Sequence, residues 1–318
     1  MKNIIIFKVT ALFFLTLIMG SSIKVSAQFD PMFTQYTNNE MFINPAYTGS
    51  KEALSITALN RQQWVGVQGR PITTTLTVHS PVWDDKMGLG VSLLDEKIGV
   101  SKRQIMYLSY SYKIKTGAKS SLGFGLMGGV HVQSNNFLSL NTVESGDPHF
   151  SNNIYEKATP NFGFGINYVT DKFFAGISIP RLLNDNLTVS ENGTVSSDNN
   201  IKTELLHYYI TAGRVFTINK NLKLKPTIMA RVLANSPLGL DISLNSLIKE
   251  HLWVGVSYRN SSDISGMFGL QINPNFLISY SYDYPTTSIN KFTGGSHEIV
   301  LSALIGYKGK KVVSNRYF

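Results

Sequence analysis

From about residue 52 onward the chain alternates apolar with small or polar residues. In "SLGFGLMGGV", Leu122, Phe124 and Leu126 fall on one side, and Gly123 and Gly125 on the other. "NFGFGINYV" opposes Phe162, Phe164 and Ile166 to Gly163 and Gly165. "DISGMFGLQI" opposes Ile264, Phe268, Leu270 and Ile272 to Ser265, Gly269 and Gln271. "NFLISYSYDY" sets Phe276, Ile278, Tyr280, Tyr282 and Tyr284 against Ser279, Ser281 and Asp283. A period of two puts successive side chains on opposite faces of a β-strand. Fourteen such segments are predicted, over 52–61, 71–82, 87–97, 102–115, 119–134, 158–170, 172–180, 204–218, 222–234, 238–248, 251–260, 263–273, 275–284 and 296–307.

Some connections are very short, such as Thr170-Asp171 and Asn273-Pro274, and others are long and polar, at 136–157 and 182–202. Many strands of about ten residues, with short turns on one side and long loops on the other, are the pattern of an outer-membrane barrel. A soluble sandwich would also show one apolar face per strand. Tyrosines expected near strand ends (Tyr107, Tyr110, Tyr112, Tyr168, Tyr258, Tyr280, Tyr284 and Tyr307) favour a bilayer interface instead. The glycines of the opposite face suit a crowded barrel interior. The expectation is an all-β protein, an outer-membrane antiparallel β-barrel of about 14 strands over 52–318, ending in the terminal aromatic Phe318.

What precedes the strands is different in kind. Lys2 and Lys8, the apolar run Ala11 to Met19 and the small residues Val25-Ser26-Ala27 have the layout of a cleavable secretory signal over 1–27. The run is short of the roughly 20 apolar residues of a membrane span. The mature chain would then open "QFDPMFTQYTNNEMFINPAYTGS" at Gln28 and reside in the outer membrane. In the segment 28–51, Pro31 and Pro45 break strand ladders and helix interiors, and Asn38, Asn39, Asn44 and Gly49 favour turns. Phe33, Tyr36, Phe42 and Tyr47 need apolar cover. This non-strand segment is expected to plug a barrel mouth or to lie across a partner.

Charge and chemistry narrow the function. Loss of Lys2, Lys8 and Lys24 with the signal takes the net charge from +9 to +6, and charged residues make up 15% of the chain, against about 25% in soluble domains. No basic run exceeds "KGKK" at 308–311, so nucleic acid is not an expected partner. There is no cysteine, hence no disulfide framework and no thiolate metal site. The six histidines are scattered singly, with no G-x-S-x-G elbow and no H-E-x-x-H pair. His79 and His131 fall on the polar face of their strands, where a wet lumen or a structural role explains them. The acidic loop residues lack calcium-loop spacing. The glycine clusters open no helix and so make no phosphate cradle. No enzyme, cofactor or metal site is expected.

"DPMFTQY" (Asp30 to Tyr36), "NPAYTGS" (Asn44 to Ser50) and "RQQWVGVQGRP" (Arg61 to Pro71) together resemble the N-terminal signature of the PorP/SprF family of type IX secretion system membrane proteins. The resemblance continues through "GLGVSLLDEKIG" (88–99), "HYYITAG" (207–213), "WVGVSYR" (253–259), "SYDY" (281–284) and "GSHEI" (295–299). It departs from the family at Arg70, where a small residue often precedes the proline. The resemblance implies an outer-membrane barrel of gliding or non-gliding Bacteroidetes that belongs to the secretion apparatus or serves one secreted adhesin or other large cargo. It also implies as partners the secreted cargo, through its C-terminal domain, periplasmic or outer-membrane secretion components, and the lipid bilayer. The candidate partner-binding residues are Asp30, Pro31, Phe33, Gln35, Tyr36, Phe42, Asn44, Pro45, Tyr47, Arg61 and Trp64. The alternative is a diffusion channel or transporter for small solutes, for which the inward glycines would leave room.

Overall fold

The computed structural model of the protein describes residues 31–51, 53–83, 86–140, 153–183, 187–189, 195–197, 200–234, 236–260 and 262–306. β1 (Leu54–Gln62), β2 (Ile72–Val82), β3 (Met87–Ile98), β4 (Ser101–Gly117), β5 (Ser120–Asn135), β6 (Ile154–Thr170) and β7 (Phe173–Ile179) follow one another as antiparallel neighbours. β8 (Leu187–Val189) and β9 (Val195–Ser197) form a separate hairpin in the connection after β7. Then come β10 (Tyr208–Arg214), β11 (Phe216–Asn219), β12 (Leu222–Val232), β13 (Gly239–Ile248), β14 (Leu252–Arg259), β15 (Asp263–Asn273), β16 (Phe276–Pro285) and β17 (Ser296–Ile305).

The sheet closes on itself. β1 pairs with β17 along its whole length, from Leu54 opposite Ile305 to Gln62 opposite His297. β10 pairs with β7 on one side and β12 on the other. β10 and β11 are two pieces of one strand, both paired to β12, so the closed circuit has the fourteen antiparallel strands that the alternation predicts. Closure joins neighbouring strands all the way round, the condition for spanning lipid with strands, although β7 reaches β6 only from Phe164 to Val169, so that β6 before Phe164 is paired with β5 alone.

The faces are inverted relative to a soluble protein. Leu126, 64% exposed, and Phe268, 55%, point outward, whereas Ser111 and Ser281 are 0% exposed inside. Phe124, Phe164 and Ile278 are on the outer face with them. Turns such as Ala118–Lys119, Asp171–Lys172, Lys220–Asn221 and Pro274–Asn275 are short at one end, and the connections 136–153 and 180–207 are long at the other. In outer-membrane barrels the short-turn end is periplasmic and the long-loop end external.

Three expectations need correction. The strand expected at 204–218 starts with a 3-10 turn, Thr203–Leu205, and breaks at Val215. The Val215 N–H donates to Lys172 O at 2.7 Å, and its side chain packs with Leu247 and Trp253. β6 begins at Ile154 rather than 158, which shortens the expected loop. Tyr107 does not sit at the bilayer interface. It is 3% exposed inside the lumen, its hydroxyl 2.6 Å from His131 Nε2, because it shares the inward parity of Ser109 and Ser111. The expected signal sequence, Tyr307 and Phe318 lie outside the described residues.

Candidate functional site

The lumen is occupied by the chain's own N-terminal segment. Two 3-10 turns, Tyr36–Asn38 and Pro45–Tyr47, flank one α-helical turn, Glu40–Ile43. Asn44 Oδ1 caps the last by accepting from Ala46 N at 2.9 Å, and Pro45 takes the first position, where a missing N–H does no harm. Single turns of this kind do not persist alone, so the surrounding barrel holds them.

The segment runs lengthwise from the loop end to the turn end. Near the loop end Arg259 Nη2 donates to Phe33 O at 3.1 Å. At mid-height Tyr36 Oη donates to Thr227 Oγ1 at 3.0 Å, and Asn39 joins Thr75 and Thr77 at 3.1 and 3.3 Å. Further down, Ser178 Oγ donates to Ile43 O at 2.9 Å and Asn167 Nδ2 to Ala46 O at 3.0 Å. Ser111 Oγ reaches Thr48 O at 2.7 Å. At the turn end Gly49 N donates to His79 Nδ1 at 3.0 Å, and Lys113 Nζ donates to Gly49 O at 2.6 Å. The inward glycines make room for this thread. A β-carbon on Gly125 would collide with the backbone of Pro45 and Ala46, one on Gly88 with Thr48 O, and one on Gly165 with the Asn44 side chain.

The rings of the segment form the apolar part of the packing. Phe33, Tyr36 and Phe42 cluster with Leu59, Met229 and Val300, and Phe33 meets Phe42 edge to face at 5.8 Å and 89°.

A charged latch fixes the loop end. Arg61 Nη1 lies 2.7 Å from Asp283 and 3.1 Å from Glu298. The two oxygens of Glu298 accept from Thr34 N at 3.0 Å and Gln35 N at 2.7 Å, and Asp283 accepts the Thr34 hydroxyl at 2.8 Å. Arg259 bridges Asp241 at 3.0 Å and Asp263 at 3.3 Å, and Arg231 reaches Asp241 at 3.0 Å. Charges enclosed in this way must be paired to be tolerated, and here the plug adds backbone partners, Thr34 N and Gln35 N for Glu298 and Phe33 O for Arg259.

Of the candidate residues, Asp30 lies outside the described residues and Pro31 is half-buried at the loop-end mouth. Phe33, Gln35, Tyr36, Phe42, Asn44, Pro45 and Tyr47 are all buried within the lumen. Arg61 joins them through the latch. Trp64 stands apart, half-buried in the β1–β2 loop with φ 53°, its N–H donating to Ser296 Oγ at 3.2 Å. Arg70 Nη2 donates to Gln62 Oε1 at 3.1 Å. Sequence reasoning missed Asp283, Glu298, Arg259 and Lys113 as plug contacts.

A closed antiparallel barrel with a lipid-suited exterior and a polar, occupied lumen defines an outer-membrane β-barrel. The model of the type IX secretion system membrane protein PorP/SprF family matches residues 25–303, and the chain belongs to that family of secretion-system membrane proteins. A search of curated proteins gives no match. Among solved structures the chain is similar to the CymD monoaromatic hydrocarbon channel, with 14% identity over 85% of this chain and 93% of that one and a TM-score of 0.51. It is also similar to the P. putida toluene transporter TodX (11% identity, 86% and 95% covered, TM-score 0.49). A third is the Acinetobacter baumannii outer membrane protein Omp33 (9%, 82% and 100%, TM-score 0.44). At such identity the likeness to CymD concerns the barrel fold alone.

Proposed function

We propose that this protein acts in type IX secretion by binding protein, helping to export a secreted cell-surface protein such as an adhesin or holding it at the surface, and not as a solute channel. The observation that carries this reading is the occupied lumen. A diffusion pore needs a continuous water path, and here the path is filled from Phe33 to Gly49 by a segment bonded to the wall at every level. In this reading the signal at 1–27 is removed, the mature barrel resides in the outer membrane, and the cargo is engaged through its C-terminal domain, with other secretion components as further partners.

The contact surface we favour is the loop-end mouth. The β1–β2 loop bearing Trp64 is zipped to the β16–β17 loop by Val65 N to Gly295 O at 2.8 Å and Gly294 N to Val65 O at 2.7 Å. Phe292, on the second loop, is 74% exposed. An exposed Phe292 beside the half-buried Trp64 on a braced platform suits an interface hot spot, and Pro31 emerges at the same mouth. The buried candidates act from beneath by fixing the plug. In planar bilayers the full-length protein is expected to give no stable conductance. Affinity purification from native membranes should recover cargo, with Trp64→Ala and Phe292→Ala together lowering recovery about tenfold. Stable openings of the unmodified barrel, with cargo recovery indifferent to both substitutions, would overturn the reading.

A further inference from the structure

We propose that the turn-end mouth carries a docking pocket for an acidic peptide segment of a periplasmic protein. A hollow of about 260 Å³ lies directly beneath the plug, lined by Lys86, Lys113, Lys115 and Lys119, with Asp171 the single acid among the described lining residues. That acid meets Lys119 at 3.5 Å between exposed side chains, a pairing of little strength. Lys86 and Lys115 have no acidic partner among the described residues. Asp84 and Asp85, which precede Lys86, fall outside them. Like charges gathered around one concavity repel each other and concentrate anions from solution.

The kind of anion follows from the chemistry and the position. Lysine ammonium groups are separate point charges on flexible stems, suited to several carboxylates at variable spacing, where an arginine fork would select one planar oxyanion. The hollow is several times the roughly 30 Å³ that a water occupies, more than a lone phosphate fills. Lys113 and Asn167 have the inward parity of Ser111 and Gly165, opposite Tyr112 and Tyr168 on the lipid face. The pocket is therefore entered along the barrel axis from the aqueous side, and not from a lipid leaflet. Its upper wall is Ser50, the next residue after Gly49. Because Lys113 also holds Gly49 O at 2.6 Å, a carboxylate drawn to Lys113 competes with the lowest anchor of the plug. The pocket is independent of the loop-end surface assigned to cargo, so its failure would leave that reading intact.

The test uses the full-length barrel in nanodiscs of zwitterionic lipid and a fluorescent oligoglutamate peptide read by anisotropy. Saturable binding is expected at low salt, none by oligoglutamine of equal length. The affinity should fall as the screening length shrinks from about 30 Å at ~0.01 M to about 8 Å at ~0.15 M salt. Lys86→Glu with Lys115→Glu should weaken binding about tenfold or more, whereas Lys291→Glu at the opposite end should change nothing. Gel mobility of unboiled samples checks that each variant is a closed barrel; if the double variant fails to close, the oligoglutamine, salt and Lys291 arms still decide. Equal affinity of a closed double variant, or equal loss in Lys291→Glu, would overturn the proposal. So would displacement by inorganic phosphate at the peptide's own concentration, which would mark a free-anion site. Charge reversals that abolish binding to phosphatidylglycerol vesicles, with no peptide bound, would mark a lipid site and overturn it equally.

Discussion

Arg61, 2% exposed, faces Asp283 and Glu298 at 0% each, and both carboxylates also hold Thr34. Removing the guanidinium would strand two enclosed negative charges, the situation in which a broken buried pair costs about 3–5 kcal/mol. Arg61→Met is therefore expected to lower barrel stability by about that amount, seen as a lower denaturant midpoint and a lower temperature for the gel shift of the unboiled protein. Asp283→Asn, which keeps an acceptor for Thr34, should lose less. Arg61 was legible as part of a motif, but its role was not, since Glu298 is 237 positions away. Half of the latch could have been read: Asp283 continues the parity of Ser279 and Ser281, which announces an inward carboxylate. The same parity argument, applied to Ser109 and Ser111, would have turned Tyr107 inward.

At the scale of the strand, the alternating faces were fully legible because side-chain direction is fixed by a period of two and needs no distant information. Phe124, Phe164 and Ile278 face outward in β5, β6 and β16. Arginine at any of them should cost about 2–4 kcal/mol if the site lies near the bilayer midplane and less towards its edges, measurable by folding into vesicles from denaturant. Arginine at Gly125 should fail for another reason, because any side chain there meets Ala46. Its defect should therefore be relieved by deleting residues 31–50, while that at Phe124 should not. The break at Val215 was not legible, since the pattern continues through it and the bond that diverts it comes from Lys172. The helical turns of the plug were hidden likewise: they are shaped by the lumen around them.

For the whole molecule, the barrel was written in repetition and the plug in tertiary contacts, so the sequence left open whether the segment 28–51 faces inward or toward a partner. Phe33, Tyr36, Phe42 and Tyr47 are 2%, 3%, 9% and 4% exposed. Replacing a buried Phe by Ala costs about 3–5 kcal/mol, and four losses of that order match or exceed the whole margin of about 5–15 kcal/mol typical of a folded protein. The quadruple alanine variant should thus unseat the plug, lower the heat stability of the barrel and open a conductance in planar bilayers. Barrel level and surface cargo, quantified in one strain, then separate two roles. Cargo falling in proportion to the barrel marks a closure element, and cargo lost from a barrel at normal level marks a partner element. Normal values of both would make the segment a dispensable filler.

The lengthwise course of the plug also has a consequence for the order of assembly. Only a few residues separate Gly49 from the start of β1, and β1 forms a seam with β17, the last strand of the circuit. Contacts such as Thr34 with Glu298 close loops of 264 residues, and loops of that length are entropically the slowest to form. A finished lumen lined by the same side chains offers no spare width through which to draw the segment. Late closure between β1 and β17, after residues 31–50 lie against the concave face, avoids threading the segment, so this seam is expected to be the last ladder to zip, and a disulfide introduced across β1 and β17 before folding should leave the plug unseated.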